Sequence, residues 1–327
     1  EKRTRGMVIA QQMFVRGLQG TYNAFSTNNN ISIPHGDVMV FSLCCAQIMY
    51  AFLLRPDTIP QSYNAWIQTA SRVPLQSVII HRSLFRNGVF DPANLQTVMN
   101  RKTTTAANAT KLFERLSLAA TTGDYGGPFV PCDAVHPWMD SCVLAPVDRF
   151  ASVFRWMFPI YGALHLVPAV MFKRKTFFEK PWEMLGRAAW GTVRSSAFLG
   201  TFVAIYQAFF CTNHNLATYL ANHRSTLKLR QLIISRPMYW IGGLLSGLSL
   251  FVEAKRRRGE LAMYVLPKGL ESAWVMARGK GYAFGTGNFG ESLLCAIGMG
   301  MVMVSFNHPE HLSGLVRRVL YQLVGPN

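Results

Sequence analysis

"VFRWMFPIYGALHLVPAVMF", Val153 to Phe172, is a 20-residue apolar run closed by Lys173-Arg174-Lys175. About 20 residues are needed to cross a hydrocarbon core, and basic residues gather where a helix leaves the bilayer. Four more apolar runs flank it: Val38 to Leu54, Ala188 to Phe210, Pro237 to Val252 and Ser292 to Phe306. The Pro237 run stops at Lys255-Arg256-Arg257-Arg258, so the pattern of a span ending in a basic cluster recurs. A soluble chain would have to bury all five runs in one core. The sequence therefore predicts an all-α, multi-spanning helical membrane protein.

Composition agrees with this reading. Of 327 residues, 50% are apolar and only 15% are charged, against the quarter or so expected of a soluble domain; mean hydropathy is +0.16. The net charge of +17 sits in short clusters beside apolar runs. Attraction to headgroups and the setting of topology account for such clusters better than nucleic-acid binding, which would want a basic stripe with interleaved aromatics. No nucleic-acid partner is expected, and the bilayer is the first partner. No short apolar leader with a cleavage site opens the chain.

A second pattern divides the chain. "AKRRRGELAMYVLPKGLESAW", Ala254 to Trp274, parallels "EKRTRGMVIAQQMFVRGLQGTY", Glu1 to Tyr22. Carried forward, Gly36-Asp37 falls against Gly290-Glu291, each opening an apolar run, then Arg55-Pro56-Asp57 against His308-Pro309-Glu310 and Val73-Pro74 against Gly325-Pro326. Landmarks kept in order indicate duplication, with the first repeat incomplete and the chain expected to be a fragment or a processed form. The expected organisation is 1–74 as the C-terminal part of a first membrane repeat, 75–131 as a linker or appendage with a low-complexity stretch, and 132–327 as a complete second repeat. Asn108-Ala-Thr110 matches a glycosylation sequon. Pro267-Lys268-Gly269 predicts a break in the helix after the basic cluster, and the glycine-rich Ala277 to Gly290 a turn.

Few motifs offer chemistry. "CDAVHPWMDSC" gathers Cys132, His136 and Cys142, the candidate metal ligands, but a structural zinc takes four ligands and a fourth is not visible. A Cys132–Cys142 disulfide and an interfacial cap carrying Trp138 at headgroup level are the other readings. Cys44, Cys45, Cys211 and Cys295 read as packing residues. No catalytic set is present, so neither an enzyme, a metal nor a cofactor is expected. Gly242, Gly243 and Gly247, with Ser196 and Gly200 on the preceding run, form small faces on which helix backbones approach closely. His165, Arg194 and Gln207 stand inside apolar runs and are candidates for an intramembrane polar path.

"HPWMDSC", "FKRK", "SSAFLGTFVAIYQAFFC", "KRRRGELAMYVLPKGLESAW" and "HLSGLVRRVLYQLVG" together resemble the transmembrane protein 135 family, in particular its fungal members. A more distant resemblance runs to the Tim17/Tim22/Tim23 group, whose Gly-Gly-x-x-x-Gly is matched by Gly242-Gly243-x-x-x-Gly247 while its acidic and arginine positions hold Ser235 and Gln231. The first resemblance implies an integral protein of mitochondrial or peroxisomal membranes. It also implies a role in organelle dynamics, fission and lipid homeostasis, with a second copy or the organelle division machinery as partner. The second resemblance suggests the alternative of a transporter or pore.

Overall fold

The structure is a computed structural model and describes residues 5–31, 33–172, 174–221, 227–305, 312, 314–323 and 325. Helices account for most of the described residues, and no strand occurs among them. In chain order they are α1 (Arg5–Asn28), α2 (Gly36–Leu54), α3 (Gln61–Ser71), α4 (Leu75–Asn87), α5 (Pro92–Met99), α6 (Ala106–Thr122), α7 (Cys132–Val135) and α8 (Leu144–Phe172). There follow α9 (Arg174–Glu179), α10 (Pro181–Ala221), α11 (Leu227–Ile233), α12 (Arg236–Gly247), α13 (Lys255–Gly279), α14 (Gly290–Val304) and α15 (Gly314–Leu323).

Among the described residues, three helices are long and apolar enough to cross a membrane: Gly36–Leu54, Leu144–Met171 and Pro181–Ala221. The last has 41 residues and at 1.5 Å per residue runs about 60 Å, roughly twice the thickness of a hydrocarbon core. The other two apolar runs differ from expectation. Pro237 to Val252 is split, because the 12-residue α12 gives way to a tighter 3-10 turn over Leu248–Val252. The helix α14 has 15 residues; Phe306 and the landmark His308-Pro309-Glu310 lie outside the described residues.

The chain divides into two compact units, Glu1–Phe41 with Gly259–Asn327, and Ser42–Arg258. This division does not follow the boundaries at 74 and 131 expected from the sequence repeat. In the first unit α1 packs on α14 through glycines. A Cβ at Gly298 would lie 2.5 Å from the Phe14 nitrogen, and one at Gly17 would lie 2.9 Å from the Gly298 carbonyl oxygen, so only hydrogen at these positions lets the two backbones meet. Arg16 of α1 also reaches Glu260 of α13 at 2.6 Å. The break expected at Pro267 is absent, and α13 continues through it with Pro267 and Gly269 on its buried side.

In the second unit α8 and α10 run antiparallel, since Gly200 faces Phe150 while Gly191 faces His165. Residues 75–131, expected as a linker or appendage, hold the packed helices α4 to α6, with Ile80, Leu84, Leu95, Val98 and Leu112 almost fully buried. Within the Ala/Thr-rich stretch α6 is a 17-residue amphipathic helix. Thr105 caps α6 by accepting from the Asn108 nitrogen at 3.2 Å, and Leu112 and Ala119 place their apolar groups two turns apart on one buried side.

Candidate functional site

The segment from Cys132 to Cys142 is held from several directions. Ser77 of α4 donates to the Ala134 carbonyl at 2.5 Å, and Asn108 of α6 donates to the carbonyls of Pro137 and Met139 at 3.2 and 3.1 Å. Asn108 is fully buried, so its sequon is closed to any glycan. Trp138 donates through Nε1 to Asp148 at 2.9 Å, and the Arg149 guanidinium lies 3.6 Å above its ring. His214 of α10 sits with Nδ1 3.2 Å from the Val130 carbonyl, which fixes the chain just before Cys132.

These supports bring together residues that are far apart in sequence. One ligand atom each from Cys132, His136, Cys142 and Cys211 lie within 4.8 Å of one another. His136 is 1% exposed and Cys211 2%, whereas Cys132 and Cys142 are partly open. The sequence reading placed Cys211 among packing residues; the signal that finds it is a polar stripe on α10. Gln207, Cys211 and Asn215 follow at four-residue intervals and so share one side of the helix. Gln207 donates to the Cys211 sulfur at 3.1 Å, and the Cys132 thiol points to the Asn215 carboxamide oxygen at 3.8 Å.

Electrostatics sharpen the site. A hydrogen bond from Cys132, aided by Asn215 and His136, outweighs burial and holds the Cys142 thiol down at about 5, while hydrogen bonding to Cys142 and Cys211, together with burial, pushes the Cys132 thiol up. For His136 burial acts against the charge, but the neighbouring Cys211 and Cys142 sulfurs and the Met139 carbonyl raise it to about 9. Cys142 is thus a thiolate at neutral pH, while Cys132 keeps its proton.

The residues of the expected polar path are dispersed. His165 Nε2 lies 2.8 Å from an Arg257 nitrogen and 3.4 Å from the Ser195 hydroxyl, and Ser195 in turn donates to the buried Glu253 at 2.7 Å. Arg194 donates instead to the Val252 carbonyl at 3.2 Å, closing the end of the 3-10 turn. Gln207 serves Cys211, about 20 Å further along α10 at 1.5 Å per residue. Of the basic residues expected to flank spans, Arg257 turns inward to Glu253 at 3.7 Å and Arg258 donates to the Glu253 and Phe251 carbonyls. Lys255 and Arg256 are exposed with Arg174; Lys173 and the Lys175 side chain lie outside the described residues.

The small residues sit at close helix contacts. A Cβ at Gly243 would lie 2.7 Å from the Ala46 Cα, one at Gly247 2.4 Å from the Ser42 Cα, and one at Gly242 2.8 Å from the Phe209 ring. Gly243 and Gly247 therefore seat α12 on α2, Gly242 seats it on α10, and Gly200 seats α10 on Phe150 of α8. Ser196 is fully buried, with its hydroxyl unpaired.

Helices of membrane-crossing length, joined at small-residue contacts and carrying a compact cysteine-histidine cluster, define the class: an all-helical, membrane-type protein with a cysteine-rich segment. Residues 128–277 match the model of a family described as the N-terminal cysteine-rich region of Transmembrane protein 135. That stretch, somewhat less than half of the chain, contains all four residues of the cluster. No solved structure matches the chain.

Proposed function

We propose that the chain is a member of the transmembrane protein 135 family and a non-enzymatic integral membrane protein of mitochondria or peroxisomes. In this reading it acts in organelle organisation, fission and lipid homeostasis, with the bilayer and a second copy or the division machinery as partners. The observation that carries the membrane reading is the outer side of α8. Only 11% of its apolar window is buried within the protein, and Leu164 and Met171 are 60% and 65% exposed. In water such a contiguous apolar face is a liability, whereas in lipid it needs no other partner. The family match supports the membrane assignment.

The test is fractionation of cells expressing a tagged full-length protein, with alkaline carbonate extraction and mitochondrial and peroxisomal markers. Retention in either organelle's membrane pellet supports the proposal; release into the supernatant removes it.

A second reading, transport through a polar path, draws on one observation, the charged set of His165, Ser195, Glu253 and Arg257 beside two long apolar helices. Solute flux into proteoliposomes that disappears in Glu253→Gln, with the variant still inserted, would favour it over a scaffold.

A further inference from the structure

The geometry points to a structural zinc site formed by Cys132, Cys142 and Cys211 through sulfur and His136 through Nε2. Sequence reasoning expected no metal because it found three donors; folding supplies the fourth from α10. All four ligand atoms lie within 4.8 Å of one another. Zn–S bonds near 2.3 Å in a tetrahedron put sulfurs about 3.8 Å apart, so the cluster needs to tighten by no more than about 1 Å around the ion.

The orientation of His136 is the second argument. Its Nδ1 lies 2.8 Å from the Met139 carbonyl, and a carbonyl oxygen can only accept, so Nδ1 carries the hydrogen. Nε2 is then the atom left to bind, and it faces the Cys142 sulfur at 3.4 Å. A zinc-bound histidine is held by a partner on its other nitrogen in this way. The arrangement continues outward, because Asn108 donates to the same Met139 oxygen at 3.1 Å. On the opposite side the Gln207 amide donates to the Cys211 sulfur at 3.1 Å, a bond that stabilises a thiolate ligand.

The competing readings fit less well. A disulfide between two of the cysteines would leave the third thiol and a buried, oriented imidazole without a task. Plain packing would not call for a hydrogen-bonded amide on a sulfur or a fixed histidine tautomer. Four protein ligands close a tetrahedral shell and leave no position for substrate, so the ion's role is structural. It ties the segment before α8 to α10.

The test is elemental analysis of the full chain purified in detergent under reducing conditions, followed by competition for zinc with a chromophoric chelator and by cobalt substitution. About one zinc per chain is expected, with thiolate-to-cobalt charge-transfer bands in the cobalt form. Cys211→Ser should lose the stoichiometric zinc and weaken those bands, whereas Cys295→Ser should leave both unchanged. Should Cys211→Ser misfold, His136→Cys offers four sulfurs and is expected to keep the ion with a shifted cobalt spectrum. Asn108→Ala should weaken zinc binding about 10- to 100-fold. Failure of the reduced protein to take zinc from the chelator, a disulfide within the cluster in freshly purified protein, a different bound metal, or zinc that survives Cys211→Ser would each overturn the assignment.

Discussion

Asn108 shows how much one buried side chain can hold. It donates to both the Pro137 and the Met139 carbonyl, which keep the Thr105 nitrogen and His136 Nδ1 as their other partners, so Asn108→Ala removes two buried hydrogen bonds at about 0.5–1.5 kcal/mol each. A lower midpoint in detergent-phase thermal unfolding should register that loss, and no glycan-dependent mobility shift should be seen for the parent chain. His81 is a second residue with a measurable consequence. It is fully buried, with neither ring nitrogen partnered, and packs against the rings of Phe85, Phe210, His214 and Tyr239. Burial, with the adjacent Arg82 charge, pushes it from 6.5 down to about 3. The unfolded chain therefore takes up a proton below pH 6.5 that the folded chain refuses, and stability drains away as pH falls from 6.5 toward 3. The slope should approach roughly 1.4 kcal/mol per pH unit; unfolding of His81→Phe at pH 7 and pH 5 should show a smaller difference than the parent.

Among elements, the 12-residue helix α12 depends on its glycines most directly. Gly247→Val would drive a side chain into the Ser42 backbone and should separate α12 from α2, measured as a large drop in unfolding midpoint. Gly186→Ala, with open space around the Cβ position, should be neutral or add about 0.5–1 kcal/mol. The turn from α12 into α13 poses a charge question. Glu253, 1% exposed, is met by the Ser195 hydroxyl, the Ala254 nitrogen and Arg257. Arg257→Met should destabilise by about 2 kcal/mol, less than a fully buried pair because Arg257 retains solvent contact, and pairing it with Glu253→Leu should recover part of the loss in the same unfolding assay. The long helices α8 and α10 were legible in the sequence because hydropathy alone dictates them. So was the cluster of Cys132, His136 and Cys142, since its members are close in sequence. Cys211 was not, because a lone cysteine in an apolar run looks like packing until the fold lays α10 beside the loop. Nor was the split of Pro237 to Val252, where apolar composition resembles a span but Gly242, Gly243 and Gly247 bury a short helix instead.

For the whole molecule, spin labels report where lipid lies. Labels at Leu164 and Met171 on α8 should be accessible to oxygen dissolved in the bilayer, and a label at the buried Val153 should not. Equal accessibility would contradict the lipid-facing side of α8. The division into two units carries a consequence for biogenesis. The unit joining Glu1–Phe41 to Gly259–Asn327 is interrupted by the continuous stretch Ser42–Arg258. At ribosomal speeds of about 5–20 residues per second, α1 waits on the order of tens of seconds before α14 is made. Throughout that interval the groove around Gly17, into which the Gly298 turn settles, is open to any other small-faced helix or chaperone in the membrane, while the Ser42–Arg258 unit can complete its own assembly first.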